Sequence, residues 1–239
     1  MSKVIAIIGA GPGVGLAIAR KFGQEGFKCA LISRSLDNLG PLVKTLEQHG
    51  IEARAFSADV RNFNGLGKTL EAVIEHFGHI DVLEYSPTPK ADMLRPPSEM
   101  DVENEQFHLD TLVLGAITAV RAVLPGMLER QSGALLFTTA ASAQHPVTFT
   151  ASFGVAAGAQ LNYVRVLNQE LMPKGIYAGI VAIPGLVVPR EQAGGTSPKG
   201  LPLIAPEEVA DAHWNLYTRR HPIEAFAGDV NALLKLGGH

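Results

Sequence analysis

The chain has 239 residues, of which 46% are hydrophobic and 18% charged. That composition excludes a disordered chain and leaves more apolar surface to cover than an average domain has. Twenty basic residues against 23 acidic ones give a formal charge of −3, with no basic stripe, which argues against a duplex nucleic-acid binder.

A single cysteine, Cys29, excludes an internal disulfide and fits a reducing compartment. The first apolar run is too short for a secretory signal and is followed at once by glycines. No apolar stretch reads as the ~20 residues a bilayer span needs. The expectation is a cytoplasmic protein that engages neither membrane nor nucleic acid.

Val4–Ile8 is continuously apolar and ends at glycine, the pattern of a strand buried on both faces of a parallel sheet. Val14, Ala17, Ile18 and Phe22 follow at helical spacing, and Gly26 can close that helix. A second strand is predicted at 29–32, a helix over 36–49, a strand over 53–57, a helix over 64–77 and a fourth strand over 80–85. One long helix is predicted from 102 to 130, then a strand at 134–139, a helix over 152–171 and a sixth strand at 177–183. Strands alternating with helices imply right-handed crossovers and one doubly wound parallel sheet spanning residues 1–239 as a single domain. Residues 191–206 break the rhythm and are predicted to be a mobile lid, since ligands bind beyond the carboxyl ends of the strands in such sheets.

Gly9-Ala10-Gly11-Pro12-Gly13-Val14-Gly15 joins the first strand to the first helix. Glycines there allow a tight turn and close approach of a pyrophosphate to the free N–H groups of a helix N-terminus. Val14 stands where a GxGxxG pattern needs glycine or alanine. The spacing Gly9-x-x-x-Gly13-x-Gly15 resembles that of the short-chain dehydrogenase/reductase family. Asp59-Val60 after the third strand and Pro184-Gly185 after the sixth are similar to that family's adenine-binding and nicotinamide-flanking positions.

The resemblance covers nearly the whole chain. It implies a Rossmann-type sheet with strand order 3-2-1-4-5-6-7. It also implies a dinucleotide held by Gly9, Gly13, Val14, Gly15, Ser33, Arg34, Ser35, Asp59, Val60, Tyr85, Ser86, Pro184, Gly185 and Val187. NAD-specific members carry an acidic residue after the second strand. Here Ser33-Arg34-Ser35 occupies that place, and a guanidinium suits a 2′-phosphate, so NADP is expected ahead of NAD.

The family's chemistry uses an Asn, a Ser and a Tyr-x-x-x-Lys pair. Matching the elements puts Leu112, Ala140, Phe153 and Ala157 at those positions. None can donate a proton, and a positioned acid typically supplies 10²–10⁴ in rate. Replacement donors are Tyr85 at the end of the fourth strand, His145 after the fifth, and Ser142, two residues past Ala140. Tyr163 lies too far along its helix, and His108 shares a helix face with Leu112. No metal centre is expected; His76 and His79 would lie at a remote helix end.

Three readings follow: an NADP-dependent oxidoreductase with a departed active site, a non-catalytic dinucleotide-binding sensor or partner protein, and a lyase or isomerase using the same pocket. The helix bearing Leu112, Val113, Ile117 and Val120 and the one bearing Val155, Leu161 and Val164 look apolar beyond one face. In the family these two helices pair across a two-fold axis, so a homodimer or homotetramer is expected.

Overall fold

In the computed structural model, which describes residues 2–198 and 200–236, the first strand β1 (Val4–Ile8) is buried along its whole length. It pairs in parallel with β2 (Lys28–Ser33) on one side and β4 (Val82–Tyr85) on the other. β3 (Ala53–Ser57), β5 (Gly133–Ala140) and β6 (Ile176–Ile183) extend the same parallel sheet. The seventh member is the three-residue β9 (Glu224–Phe226), giving the order β3-β2-β1-β4-β5-β6-β9. The sequence implied a seventh strand without locating it, because three residues are too few for alternation to register.

Residue alternation splits the sheet into two faces. Leu83, Tyr85, Leu135 and Phe137 pack beneath α3 (Phe63–Phe77), α5 (Gly115–Glu129) and α6 (Ala151–Leu171). Ile5, Ile7, Cys29, Leu31, Val82 and Leu136 pack beneath α1 (Val14–Gln24), α2 (Leu36–Glu47) and α7 (Pro206–Arg219). Cys29 is part of this core, and burial pushes its thiol up to about 12, leaving it inert as a nucleophile at neutral pH.

Two expectations are corrected. The helix predicted over 102–130 is α4 (Val102–Leu109) and α5 joined by a π-helical turn, Asp110–Leu114. Taken as one run, Val102–Glu129 has a window of mean hydropathy 1.7 and is long and apolar enough to cross a bilayer, contrary to the expectation. Ala116, Ala119, Val120, Val123 and Met127 of that run are core residues here, the burial an interior helix requires.

The loop 191–206 is more ordered than its composition suggested; Lys199, within it, lies outside the described residues. β8 (Leu203–Ile204) pairs with β7 (Leu186–Val187), and Gly194 N donates to Leu203 O at 2.9 Å. Backbone hydrogen bonds, invisible to periodicity, supply the order there.

Candidate functional site

The glycine turn lies at the carboxyl end of β1. Gly9 has φ +94°, and a Cβ on it would sit 2.7 Å from both Ser86 C and Pro87 N, so only glycine fits. A Cβ on Gly15 would lie 2.8 Å from Ala10 Cα, whereas Gly11 and Gly13 face open space. No side chain caps α1, whose N-cap is Gly13. The helix N-terminus therefore presents free N–H groups and its positive dipole end to an open cradle, an arrangement that suits a pyrophosphate. Val14 and Gly15 are the first two residues of that helix.

Arg34 is exposed at the end of β2, between Ser33 and Ser35. The Ser35 hydroxyl accepts from Asn38 N at 3.3 Å and caps α2, so that hydroxyl already has a structural task. Arg34 O accepts the Ser57 hydroxyl at 3.1 Å, which ties the loop after β2 to β3. Partial burial works to raise the Asp59 pKa, yet the Arg61 N–H groups and the charges of Arg61 and Arg34 outweigh it and hold the carboxyl below its ordinary range. Asp59 and Val60 are half-buried beside this basic pair.

Pro184 is buried, and Gly185 abuts the Pro202 carbonyl so closely that a Cβ would collide with it. Val187 pairs with Ile204. The segment after β6 is thus covered by β8, the strand that composition alone hid.

Leu112, Phe153 and Ala157 form one buried apolar cluster with Ala156, and Ala140, Ala143, Leu109, Val113 and Leu94 pack against it. The structure therefore brings together the four positions that the resemblance assigns to catalysis. It also adds Leu94, which sequence reasoning missed.

Leu94 lies in a strap between β4 and α4. The Met93 carbonyl accepts from Asn104 Nδ2 at 2.9 Å and from His108 Nε2 at 3.1 Å. Arg95 N donates to Ser152 Oγ at 3.0 Å, and Ser152 N returns a bond to Arg95 O at 3.2 Å. These bonds fix the strap against the N-terminal turn of α6, one residue from Phe153. The signal in the sequence was the proline-rich run after β4, with Pro87, Pro89, Pro96 and Pro97. Beside the strap a groove of about 730 Å³ is lined by Arg61, Met93, Arg95, Asn104 and Phe107, among others.

The replacement donors fare as follows. Tyr85 is wholly buried, and its hydroxyl donates to Thr111 O at 2.5 Å. Burial raises its pKa, with the Asp59 charge adding to the effect. Its side chain lies under α5 with its hydroxyl committed to Thr111 O, which corrects its acid role. Ser142 is buried against Gly154, and its hydroxyl has no partner among the described residues.

The His145 ring lies against Phe226 of the edge strand β9, with centroids 5.9 Å apart. Tyr163 packs on Phe137 in the core, and burial pushes it up to about 12. His108 is buried with its ring 6.2 Å from Phe153. Burial lowers its pKa against the bond to Met93 O, and the Arg95 charge lowers it further.

A polar network on the other face of the sheet had no sequence signal. Glu84 and His213 are both fully buried, and Thr138 Oγ1 lies 2.8 Å from Glu84 Oε1 and 2.8 Å from His213 Nε2. Ser86 Oγ donates to Glu84 Oε2 at 2.9 Å. Burial alone accounts for Glu84 rising to about 8, against the Thr138 and Ser86 hydrogen bonds, and for His213 falling to about 3. The carboxylic acid and the neutral imidazole are the stable forms at neutral pH.

The model of the short chain dehydrogenase family matches residues 3–194. An uncharacterised oxidoreductase of Staphylococcus epidermidis is 29% identical over 185 residues, 77% of this chain and 78% of that one. A putative ketoacyl reductase of Streptomyces coelicolor is 29% identical over 192 residues, 78% of this chain and 71% of its own. Among solved structures, L-sorbose reductase from Gluconobacter frateurii, complexed with NADPH and L-sorbose, superposes with a TM-score of 0.83 at 23% identity, over 96% of this chain and 97% of that chain. A 7 alpha-hydroxysteroid dehydrogenase complexed with NADH superposes with a TM-score of 0.80 at 21% identity, over 93% and 91%. With its glycine turn, its sheet order and this match over most of its length, the chain belongs to the short chain dehydrogenase family.

Proposed function

We propose that the chain is an NADP(H)-binding oxidoreductase-type protein whose active site has departed from the family's Tyr-Lys chemistry. Three observations support the cofactor. The cradle before α1 is open, Arg34 stands exposed where a 2′-phosphate calls for a cation, and three of the similar structures are complexes with NADPH, NADP or 5-hydroxy-NADP. Gly13, Val14 and Gly15 would hold the pyrophosphate, Arg34 the 2′-phosphate, and Asp59 with Val60 the adenine. When bound, the nicotinamide supplies or takes up a hydride.

The observation that carries the departure is the apolar cluster of Leu112, Phe153 and Ala157, closed by Leu94. Among the described residues, the side chains that make up that cluster carry no hydroxyl to protonate an oxyanion and no ammonium to depress a phenol's pKa. What remains is positioning and exclusion of water, which serves only substrates that accept hydride readily. The same packing favours a second reading, a dinucleotide-binding protein without turnover, since Leu94 lies against the positions to which the resemblance assigns catalysis.

Stopped-flow NADPH oxidation over ketones, aldehydes, enones and iminium ions separates the readings. Turnover limited to enones or iminium ions supports the reductase. Tight binding without turnover supports the binding protein, or a lyase or isomerase that keeps its cofactor unconsumed. Robust turnover of simple ketones sinks the departed-site reading.

The exposed apolar residues support a homodimer or tetramer. Of the two helices expected to pair, Leu112, Val120, Leu161 and Val164 are buried inside the protomer, so they do not contribute. Val155 and Val166, 55% and 56% exposed, lie three turns apart on one face of α6, and Leu114 is exposed beside α5. A 25 kDa particle at micromolar concentration by light scattering contradicts assembly.

A further inference from the structure

We propose that Glu84, Thr138 and His213 form a buried proton-sharing site that sets the pH range over which the glycine turn holds its dinucleotide. The proposal rests on the cofactor reading above. Glu84 is on β4, in the middle of the sheet, with its side chain on the face that Val82 and Leu136 share with α7. An aliphatic residue there would carry no desolvation penalty, whereas an acid does unless it is neutral or paired.

Thr138 has one hydroxyl proton and lies within bonding distance of both titratable groups. Two arrangements satisfy it. With Glu84 protonated, the carboxylic O–H donates to Thr138 Oγ1 and the threonine proton goes to His213 Nε2. With Glu84 ionised, Thr138 donates to Glu84 Oε1 and accepts from His213 Nε2–H. The two differ by the loss of one proton from Glu84, a turn of the Thr138 hydroxyl hydrogen and a change of the neutral His213 ring from its Nδ1–H to its Nε2–H tautomer, so Thr138 serves both states without moving its heavy atoms.

The ionised state leaves a carboxylate in the core. His213, 3.8 Å from Glu84 Oε1, is the titratable group that faces it from α7. Among the described residues, no other ion pair or hydrogen bond from a charged side chain reaches either group. His213 Nδ1 has no partner there, so the imidazole is poorly placed to carry a compensating charge.

Ser86 links this site to the cofactor cradle. Its hydroxyl is on Glu84 Oε2, and its backbone N donates to Ile8 O at 2.8 Å. Its carbonyl carbon lies where a Cβ on Gly9 would stand 2.7 Å away. Any shift by which Ser86 admits water to an ionised Glu84 therefore displaces the contact that shapes the Gly9 turn.

NADPH affinity of the full chain is measured by calorimetry from about pH 6.5 to 9.5, for wild type and for Glu84→Gln, which keeps the shape and hydrogen bonds but cannot ionise. The 2′-phosphate ionises near pH 6, below this window. Wild-type Kd is expected to rise about tenfold for each pH unit above the Glu84 midpoint, while Glu84→Gln stays flat. The infrared carbonyl stretch of a protonated carboxylic acid in wild type, lost over the same range, gives a readout that needs no variant to fold. Parallel Kd curves for the two proteins, or a wild type without that band at neutral pH, overturn the proposal. Absence of NADPH binding at every pH, with the band still titrating, defeats the cofactor reading and the coupling built on it, whereas binding with parallel curves defeats the coupling alone.

Discussion

The Tyr85 hydroxyl donates to the Thr111 carbonyl, 2.5 Å away, from the end of β4 to the π turn between α4 and α5. A π turn widens the helix and takes carbonyls out of the ordinary ladder. Here Thr111 O goes to Tyr85, and Leu112 O goes to Gln160 Nε2 of α6 at 3.0 Å. The two side chains keep the turn from collapsing to regular helix, and thereby fix where Leu112 faces Phe153. Tyr85→Phe is expected to cost about 1–3 kcal/mol, the penalty of an orphaned buried carbonyl, without lowering any hydride-transfer rate. Denaturant unfolding and NADPH turnover check the two halves, and a rate loss exceeding the stability loss would restore Tyr85 as a proton donor.

The Glu84–His213 pair has a pH signature. Unfolded, the groups titrate near 4.5 and 6.5; folded, near 8 and 3. Between pH 4.5 and 6.5 each state of the pair binds one proton, on Glu84 when folded and on His213 when unfolded, so the pair contributes no slope there. Above pH 6.5 the folded state holds a proton the unfolded state has lost, so stability falls as pH rises to 8, by about 2 kcal/mol. Below pH 4.5 the unfolded state binds the extra proton, and stability falls again toward pH 3. Urea unfolding of wild type and Glu84→Gln across pH checks this. The alkaline loss should be missing from the variant, and an identical slope in both proteins counts against a neutral buried Glu84.

Arg34 is expected to set the cofactor preference. A charge-assisted contact is worth roughly 1.5–3 kcal/mol, so Arg34→Ala should weaken NADPH binding by about tenfold or more while leaving NADH nearly unchanged. Equal affinity of wild type for the two cofactors by calorimetry would remove the NADP assignment.

Restoring the family residues meets a packing obstacle. Ala157 is fully buried and Phe153 is 8% exposed, both beneath the Leu94 strap. Phe153→Tyr should be tolerated at about 1–2 kcal/mol, the cost of a hydroxyl without a partner. Ala157→Lys adds volume and charge to a closed cluster and should cost more than about 3 kcal/mol unless the strap lifts. Circular dichroism melts of the single variants test the order, and a stable Ala157→Lys protein with a proteolytically exposed strap would show that Leu94 is displaceable.

The segment between β7 and β8 should still be the first to be cut. Gly194 and Gly195 both have positive φ, and few apolar residues of the segment are buried. Limited proteolysis is expected to nick it before the core, more slowly with NADPH present. Protection equal to that of the core in the free protein would deny it a lid's mobility.

What the sequence by itself determined is what local pattern encodes. Apolar runs placed β1, β2 and β6, and mainly apolar runs placed β4 and β5, because a strand buried on both faces tolerates no polar residue without a partner. The glycine spacing located the turn, because the absence of a side chain at Gly9 and Gly15 is itself the signal. Comparison by position also brought Leu112, Ala140, Phe153 and Ala157 together before any coordinates did. Only the tertiary structure decided the rest. Tyr85 looks like a catalytic hydroxyl in one dimension, and strand alternation together with a π turn some 26 residues away sends it into the core. Leu94 packs on the Leu112–Phe153 cluster because its neighbours Met93 and Arg95 are hydrogen-bonded to Asn104, His108 and Ser152, partners whose spacing follows no period. Glu84 and His213 lie more than a hundred residues apart in the chain, and only the crossover of α7 onto the β4–β5 face brings Thr138 between them. Long-range partners of this kind leave no local pattern, since hydrogen bonding and desolvation depend on what the folded chain brings within a few ångströms.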